Sequence, residues 1–179
     1  MSQGSATRYP LVLVPGMLGF IRLVLYPYWY GIVSALRQGG ATVFAVQVSP
    51  LNSSEVCGEQ LLARIEEILR ETGAGKVNLF GHSQGSLTAR YAAAKRPDLV
   101  ASVTSVAGPN HGSELADYLH KHYPHDSAKG RLLSFLLRII VALMSLLETG
   151  YRGPKLPVDI PASHHSLTTE GVALFNQRY

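Results

Sequence analysis

Val77-Asn78-Leu79-Phe80-Gly81-His82-Ser83-Gln84-Gly85-Ser86-Leu87 sets an apolar run, a glycine-flanked serine and the start of an alanine-rich stretch in direct succession. The apolar run reads as a buried strand and Leu87 to Lys95 as a helix, so Ser83 falls at a strand-to-helix turn. That is the order a nucleophile elbow requires. A serine pushed out at the tip of so sharp a turn brings strand and helix backbones together, and the positions two before and two after it must lack a side chain. Gly81 and Gly85 meet that demand. Three fixed residues at background frequencies near 7% recur by chance about once in sixteen chains of this length, so the surrounding pattern has to decide.

Upstream, Tyr9-Pro10-Leu11-Val12-Leu13-Val14 reads as a buried first strand running into the glycine-punctuated loop Pro15-Gly16-Met17-Leu18-Gly19. Where a serine attacks an ester from such a turn, the oxyanion takes one backbone N–H from the residue after the nucleophile and one from a loop nearer the N-terminus. Gln84 and Met17 are the candidates. Gln84 also opens a helix, where N–H groups are free and the dipole favours negative charge.

Strands and helices alternate along the chain, which predicts a parallel sheet with helices on both faces. The aromatic segment Tyr26 to Tyr30 leads into a helix ending at Gly39-Gly40, and Ala41 to Val46 reads as a second strand. Ser53 or Ser54 can cap the next helix, whose Leu61, Leu62, Ile65, Ile68 and Leu69 form one buried face and which Gly73 ends. Val77 to Phe80 is the central strand, and Leu99 to Val106 follows the elbow helix. There are no internal repeats and no low-complexity segments.

The 179 residues, 46% hydrophobic, suffice for one sizeable core. The net charge of +4 comes from scattered residues such as Arg37, Arg64, Arg70, Lys95 and Arg96, which excludes nucleic acid as an expected partner. Cys57 is the sole cysteine, so no internal disulfide forms. No charged, apolar and small-residue signal pattern precedes the first strand; a cytoplasmic location, or export without a cleaved signal, is the expectation.

Dispersed motifs extend the reading: Tyr9-Pro10 to Gly19-Phe20; Tyr28-Trp29 with Gly31-Ile32 and Ser34-Ala35-Leu36; Ser54-Glu55-Val56 with Gly58 to Leu62; Lys76 to Leu79 with Gly81-His82-Ser83; Arg96-Pro97-Asp98-Leu99; and Ser166-Leu167 through Glu170-Gly171 to Phe175-Asn176. In these the chain resembles the N-terminal portion of bacterial triacylglycerol lipases of the Pseudomonas, Burkholderia and Proteus type, which have the α/β-hydrolase fold. The resemblance implies Ser83 as nucleophile, the N–H groups of Met17 and Gln84 as oxyanion hole, and esters of long acyl chains at a lipid–water interface as substrates. It also implies one α/β-hydrolase domain over residues 1–179, a mostly parallel sheet with helices on both faces and without the C-terminal strands, with a lid helix at about 130–148. Two departures stand out. Pro15 replaces the usual histidine before the oxyanion glycine, and Gln84 stands where many members have His or Met; acting through its backbone, Gln84 is expected to matter little as a side chain.

Leu132 to Leu147 has only Ser134, Arg138 and Ser145 as polar residues in sixteen positions. A membrane span is disfavoured, because sixteen residues cover about 24 Å against a hydrocarbon core near 30 Å, with Arg138 in the middle. A buried core helix and a lid turned towards lipid both remain, the lid favoured by the position of this segment in the resembled lipases.

A serine hydrolase of this fold needs an acid and then a histidine on later strands. After Val106 only the short Val158-Asp159-Ile160 has a strand pattern, so the sheet should stop at about four strands. In the resembled lipases the acid, the histidine and the calcium ligands lie beyond the position of Tyr179. Local substitutes are weak. His82 diverges from its serine neighbour, His120, His122 and His125 with Asp126 read as a solvated loop rather than a metal site, and Asp159 with His164 or His165 is flanked by prolines. The expected activity is carboxylic ester hydrolysis, with a short-chain esterase, an acyltransferase or an inactive lipid-binding remnant as alternatives.

Overall fold

The computed structural model describes residues 4–179. Its centre is a parallel sheet of four strands in the order β4-β1-β5-β6, formed by β1 (Leu11–Val14), β4 (Val43–Ala45), β5 (Val77–His82) and β6 (Val100–Val106). The continuous apolar reading of β1 is explained by burial on both faces: Val12 and Val14 point to one side and Leu13 to the other, all at most 1% exposed. On one face, α2 (Ser54–Thr72), α3 (Gln84–Lys95) and α7 (Thr169–Arg178) cover Val12, Val14, Val77 and Leu79. On the other, α1 (Ile32–Gln38) and Trp29 pack on Leu13 and Val43. Helices therefore lie on both faces, as expected.

Local signals placed these elements well. Ser53 caps α2 by accepting from the Val56 N–H, Gly73 closes it in the left-handed conformation, and Leu61, Leu62, Ile65 and Ile68 are all buried beneath it. Among the described residues β6 pairs only with β5, and its Ala101, Ser102, Thr104 and Ser105 are exposed.

Three expectations are corrected. Residues 22–27, ahead of α1, form a small antiparallel ribbon, β2 (Arg22–Leu23) with β3 (Tyr26–Pro27), which turns at Val24 with φ 55°. Two-residue strands carry too little alternation to be read from sequence. Val158-Asp159-Ile160 is no strand: the Asp159 carboxylate accepts from the Ala162 N–H as N-cap of α6 (Ile160–His165), with Pro161 in the first turn where its missing N–H costs nothing. His120 and His122 sit in the last turn of α4 (Glu114–His122), not in a loop, although His125 does.

The apolar segment is α5 (Ala128–Leu147), capped by Ser127. At 20 residues it is about 30 Å long, so it reaches the length of a bilayer core and the shortness expected from Leu132 to Leu147 disappears. The core-helix reading is overturned, since only Gly130 and Val141 of the helix are buried. Its inner edge, Leu137 and Val141, rests on Leu18, Leu51 and Ile160. Its outer face carries Leu132, Phe135, Leu136, Ile139, Ile140 and Leu143, each at least 40% exposed. Its C-terminal end is tied to the ribbon: the Val24 N–H donates to Leu147 O, the Thr149 N–H to Arg22 O, and the Glu148 carboxylate accepts from the N–H groups of Ile21, Arg22 and Gly150.

Candidate active site

β5 delivers Ser83 to the carboxyl end of the sheet, and α3 begins at the next residue. Ser83 has φ 54° and ψ −127°, a conformation that L-residues rarely adopt and that costs about 1–3 kcal/mol. The sequence enforces it at close range. A Cβ on Gly81 would come within 2.4 Å of Gly85 O, and one on Gly85 within 2.4 Å of Val14 O and 2.5 Å of Pro15 O. These contacts are with backbone, so no rotamer relieves them. The serine N–H donates to Val106 O at 2.9 Å, which hangs the turn on the end of β6.

The loop after β1 presses against the same serine. A Cβ on Gly16 would lie 2.8 Å from Ser83 Cβ and 3.2 Å from its Oγ, so the Gly16–Met17 peptide borders the hydroxyl. The Gly16 N–H donates to Tyr28 Oη, the Leu18 N–H to Pro50 O and the Gly19 N–H to Gly16 O, whereas no acceptor within the described residues takes the N–H of Met17 or Gln84. Tyr28 Oη also pairs with His82 Nδ1 at 2.7 Å, and the His82 ring is edge-on to both Tyr28 and Trp29. His82 thus packs against Tyr28 and Trp29 and, through Tyr28 Oη, helps fix the loop.

Gln84 departs from expectation. Its side chain is 4% exposed, and Nε2 donates to Asn52 O at 2.8 Å and to Ser166 Oγ at 3.2 Å. The residue that sequence assigns a backbone role also ties the elbow to the loops after β4 and α6. A buried amide with two partners loses both on truncation, so Gln84→Ala should lower stability by about 1–3 kcal/mol in urea unfolding.

Among the described residues no imidazole or carboxylate hydrogen-bonds to Ser83 Oγ. His164 is engaged elsewhere: Nε2 donates to Ala116 O at 2.7 Å, which leaves Nδ1 as acceptor for the His125 Nε2–H at 3.3 Å. Asp159 caps its own helix rather than orienting a histidine. No group of three or more His, Cys, Asp or Glu among the described residues is placed to hold a metal ion.

Burial, and then the neighbouring His164 and His120, hold the His125 imidazole below its ordinary 6.5, against the weaker pull of Asp159 and Asp126. The folded state therefore favours neutral His125, and the unfolded chain takes up the proton first as pH falls below 6.5. Stability contributed here is complete above that value and is lost on acidification. Urea unfolding from pH 7 to pH 5 should show His125→Gln losing less stability than the parent; equal slopes would remove His125 as the source.

Comparison with known proteins agrees with this geometry. The model of the alpha/beta hydrolase fold family matches residues 9–138. A triacylglycerol lipase of Pseudomonas fragi is 46% identical over all of the chain and 60% of its own length, and one of Vibrio cholerae is 49% identical over 97% of the chain and 54% of its own. The chain thus spans little more than half of these curated relatives. The crystal structure of the mature Bacillus licheniformis lipase BlEst2 superposes over 95% of the chain and 59% of its own, with a TM-score of 0.64 at 22% identity, a likeness of fold. With Ser83 in the strained turn and the family match covering the strands that build it, the chain belongs to the alpha/beta hydrolase fold family.

Proposed function

We propose that the chain carries the nucleophile and oxyanion hole of a carboxylic ester hydrolase acting on long-chain acylglycerols. The observation that carries this reading is Ser83 in its positive-φ turn with the Gly16–Met17 peptide against its hydroxyl. Ser83 Oγ attacks the ester carbonyl and the N–H groups of Met17 and Gln84 receive the developing oxyanion; the intermediate collapses by breaking the ester C–O bond and expelling the alcohol, and water then hydrolyses the acyl–Ser83 ester to the free acid and the serine hydroxyl. The base that takes the serine proton is not supplied by the described residues. For the calcium implied by the similar lipases, no group of three or more His, Cys, Asp or Glu among the described residues is placed to hold it.

Prolonged incubation with a fluorophosphonate should place a single covalent adduct on Ser83, detected by mass spectrometry of the digested chain. The Ser83→Ala variant should take none. An adduct on another serine would overturn the assignment.

The substrate class is supported by the lipase relatives and by α5, whose inner edge rests on Leu18 beside Met17 while its outer face offers a row of exposed leucine, isoleucine and phenylalanine. As the lid of this site, the helix would meet the lipid surface with that row. Lys129, Arg131 and Arg138, with the packing of Val141 on the body, favour lying at the interface over spanning a bilayer. Replacing the half-exposed Leu136 and Ile140 with serine should remove about 2 kcal/mol of adsorption, close to thirty-fold, on trioctanoin emulsions. Unchanged adsorption would remove the helix from the interface.

A further inference from the structure

A cavity of about 610 Å³ lies away from Ser83, between α1, the edge strand β4 and the start of the β2–β3 ribbon. Its volume is that of a small-molecule site. Apolar walls come from Pro27, Trp29, Val33 and Phe44, and two guanidinium groups, Arg22 and Arg37, stand in its lining. No acidic side chain lines it. Neither arginine forms an ion pair with a carboxylate of the described residues; Arg37 Nη2 donates to Val43 O at 2.7 Å, which holds it over the edge of β4. The wall indole of Trp29 is itself 6% exposed, and its Nε1–H has no acceptor among the described residues. Guanidinium groups without a carboxylate partner beside an apolar wall make a lining that an amphipathic anion fits, its head on the arginines and its tail against Phe44, Val33 and Pro27.

We infer that this cavity is a binding site for a free fatty-acid carboxylate, separate from the elbow. The charge argument fixes the class of ligand. A neutral ester offers the same tail but leaves both guanidinium groups without a counter-charge. The site stands whether or not Ser83 is a nucleophile, because none of its residues belongs to the elbow or the oxyanion loop. Trp29, the only tryptophan of the chain, forms one wall and its ring lies edge-on to His82, so occupancy is read directly in tryptophan fluorescence.

The test is a titration of the 179-residue chain with decanoate below micelle-forming concentrations, with methyl decanoate in parallel. Saturable change in Trp29 emission is expected for decanoate, with the methyl ester at least tenfold weaker. Arg22→Gln and Arg37→Gln should each weaken decanoate binding severalfold and the double variant tenfold or more, while Ser83→Ala leaves it unchanged. Because Arg37 also holds Val43 O, urea unfolding checks that variant; Arg22, whose side chain has no hydrogen bond within the described residues, carries the test on its own if Arg37→Gln unfolds. An emission unmoved by decanoate would overturn the proposal. So would equal binding of the methyl ester, equal binding by Arg22→Gln, or loss of binding in Ser83→Ala alone, which would put the carboxylate at the elbow.

Discussion

The purified 179-residue chain should hydrolyse a dissolved p-nitrophenyl ester only at the level left when a catalytic triad lacks its base, about 10³–10⁴-fold above water, from the oxyanion hole and binding alone. Ser83 Oγ has no hydrogen-bond partner among the described residues, and an unassisted serine hydroxyl is a weak nucleophile. His82 and His164 have other partners. His82 Nδ1 is held by Tyr28 Oη, and both ring nitrogens of His164 are engaged, with Ala116 O and with His125. Residual turnover should therefore be the same in His164→Ala and His165→Ala. Turnover near 10 s⁻¹, an ordinary enzymatic rate, that disappeared in either variant would establish a triad among these residues and overturn the assignment of each histidine.

What was legible in the sequence was whatever local sterics dictate. Gly81 and Gly85 announced the elbow because only glycine survives a crossing of strand and helix at that distance, and Ser53 and Gly73 bounded α2 through cap chemistry that acts within four residues. The lipase resemblance rests on motifs dispersed over strands, helices and the loops between them, and the curated relatives bear it out. The failures involve tertiary partners. Gln84 looked like a backbone donor alone, because nothing local reveals that Asn52 and Ser166 converge on its amide. The ribbon at residues 22–27 is held by Glu148, more than a hundred residues away, whose carboxylate accepts from the N–H groups of Ile21 and Arg22 and ties them to the end of α5. The hydropathy of α5 could not separate a core helix from an exposed one, since both are apolar; the difference lies in what stands opposite, here the small apolar cluster of Leu18, Leu51, Val158 and Ile160.

Alanine at position 85 should be among the most damaging single-methyl additions the fold can receive. Its Cβ would meet Val14 O at 2.4 Å and Pro15 O at 2.5 Å, and at position 81 it would meet Gly85 O at 2.4 Å. Overpacking a core usually costs about 1–3 kcal/mol because side chains rotate out of the way. Here the obstacle is the backbone of β1 and of the oxyanion loop, so relief requires prising the elbow from the strand that carries Gly16, and a loss of 3 kcal/mol or more is expected from a total of about 5–15. Gly75 is the matched control, because its added Cβ meets nothing within 4 Å, and Gly75→Ala should stay within about 0.5 kcal/mol of the parent. Urea unfolding of the three variants separates the two environments. Gly85→Ala with the parent's midpoint would mean that strand, loop and helix do not cross at this point, and the approach of the Gly16–Met17 peptide to Ser83 would fall with it.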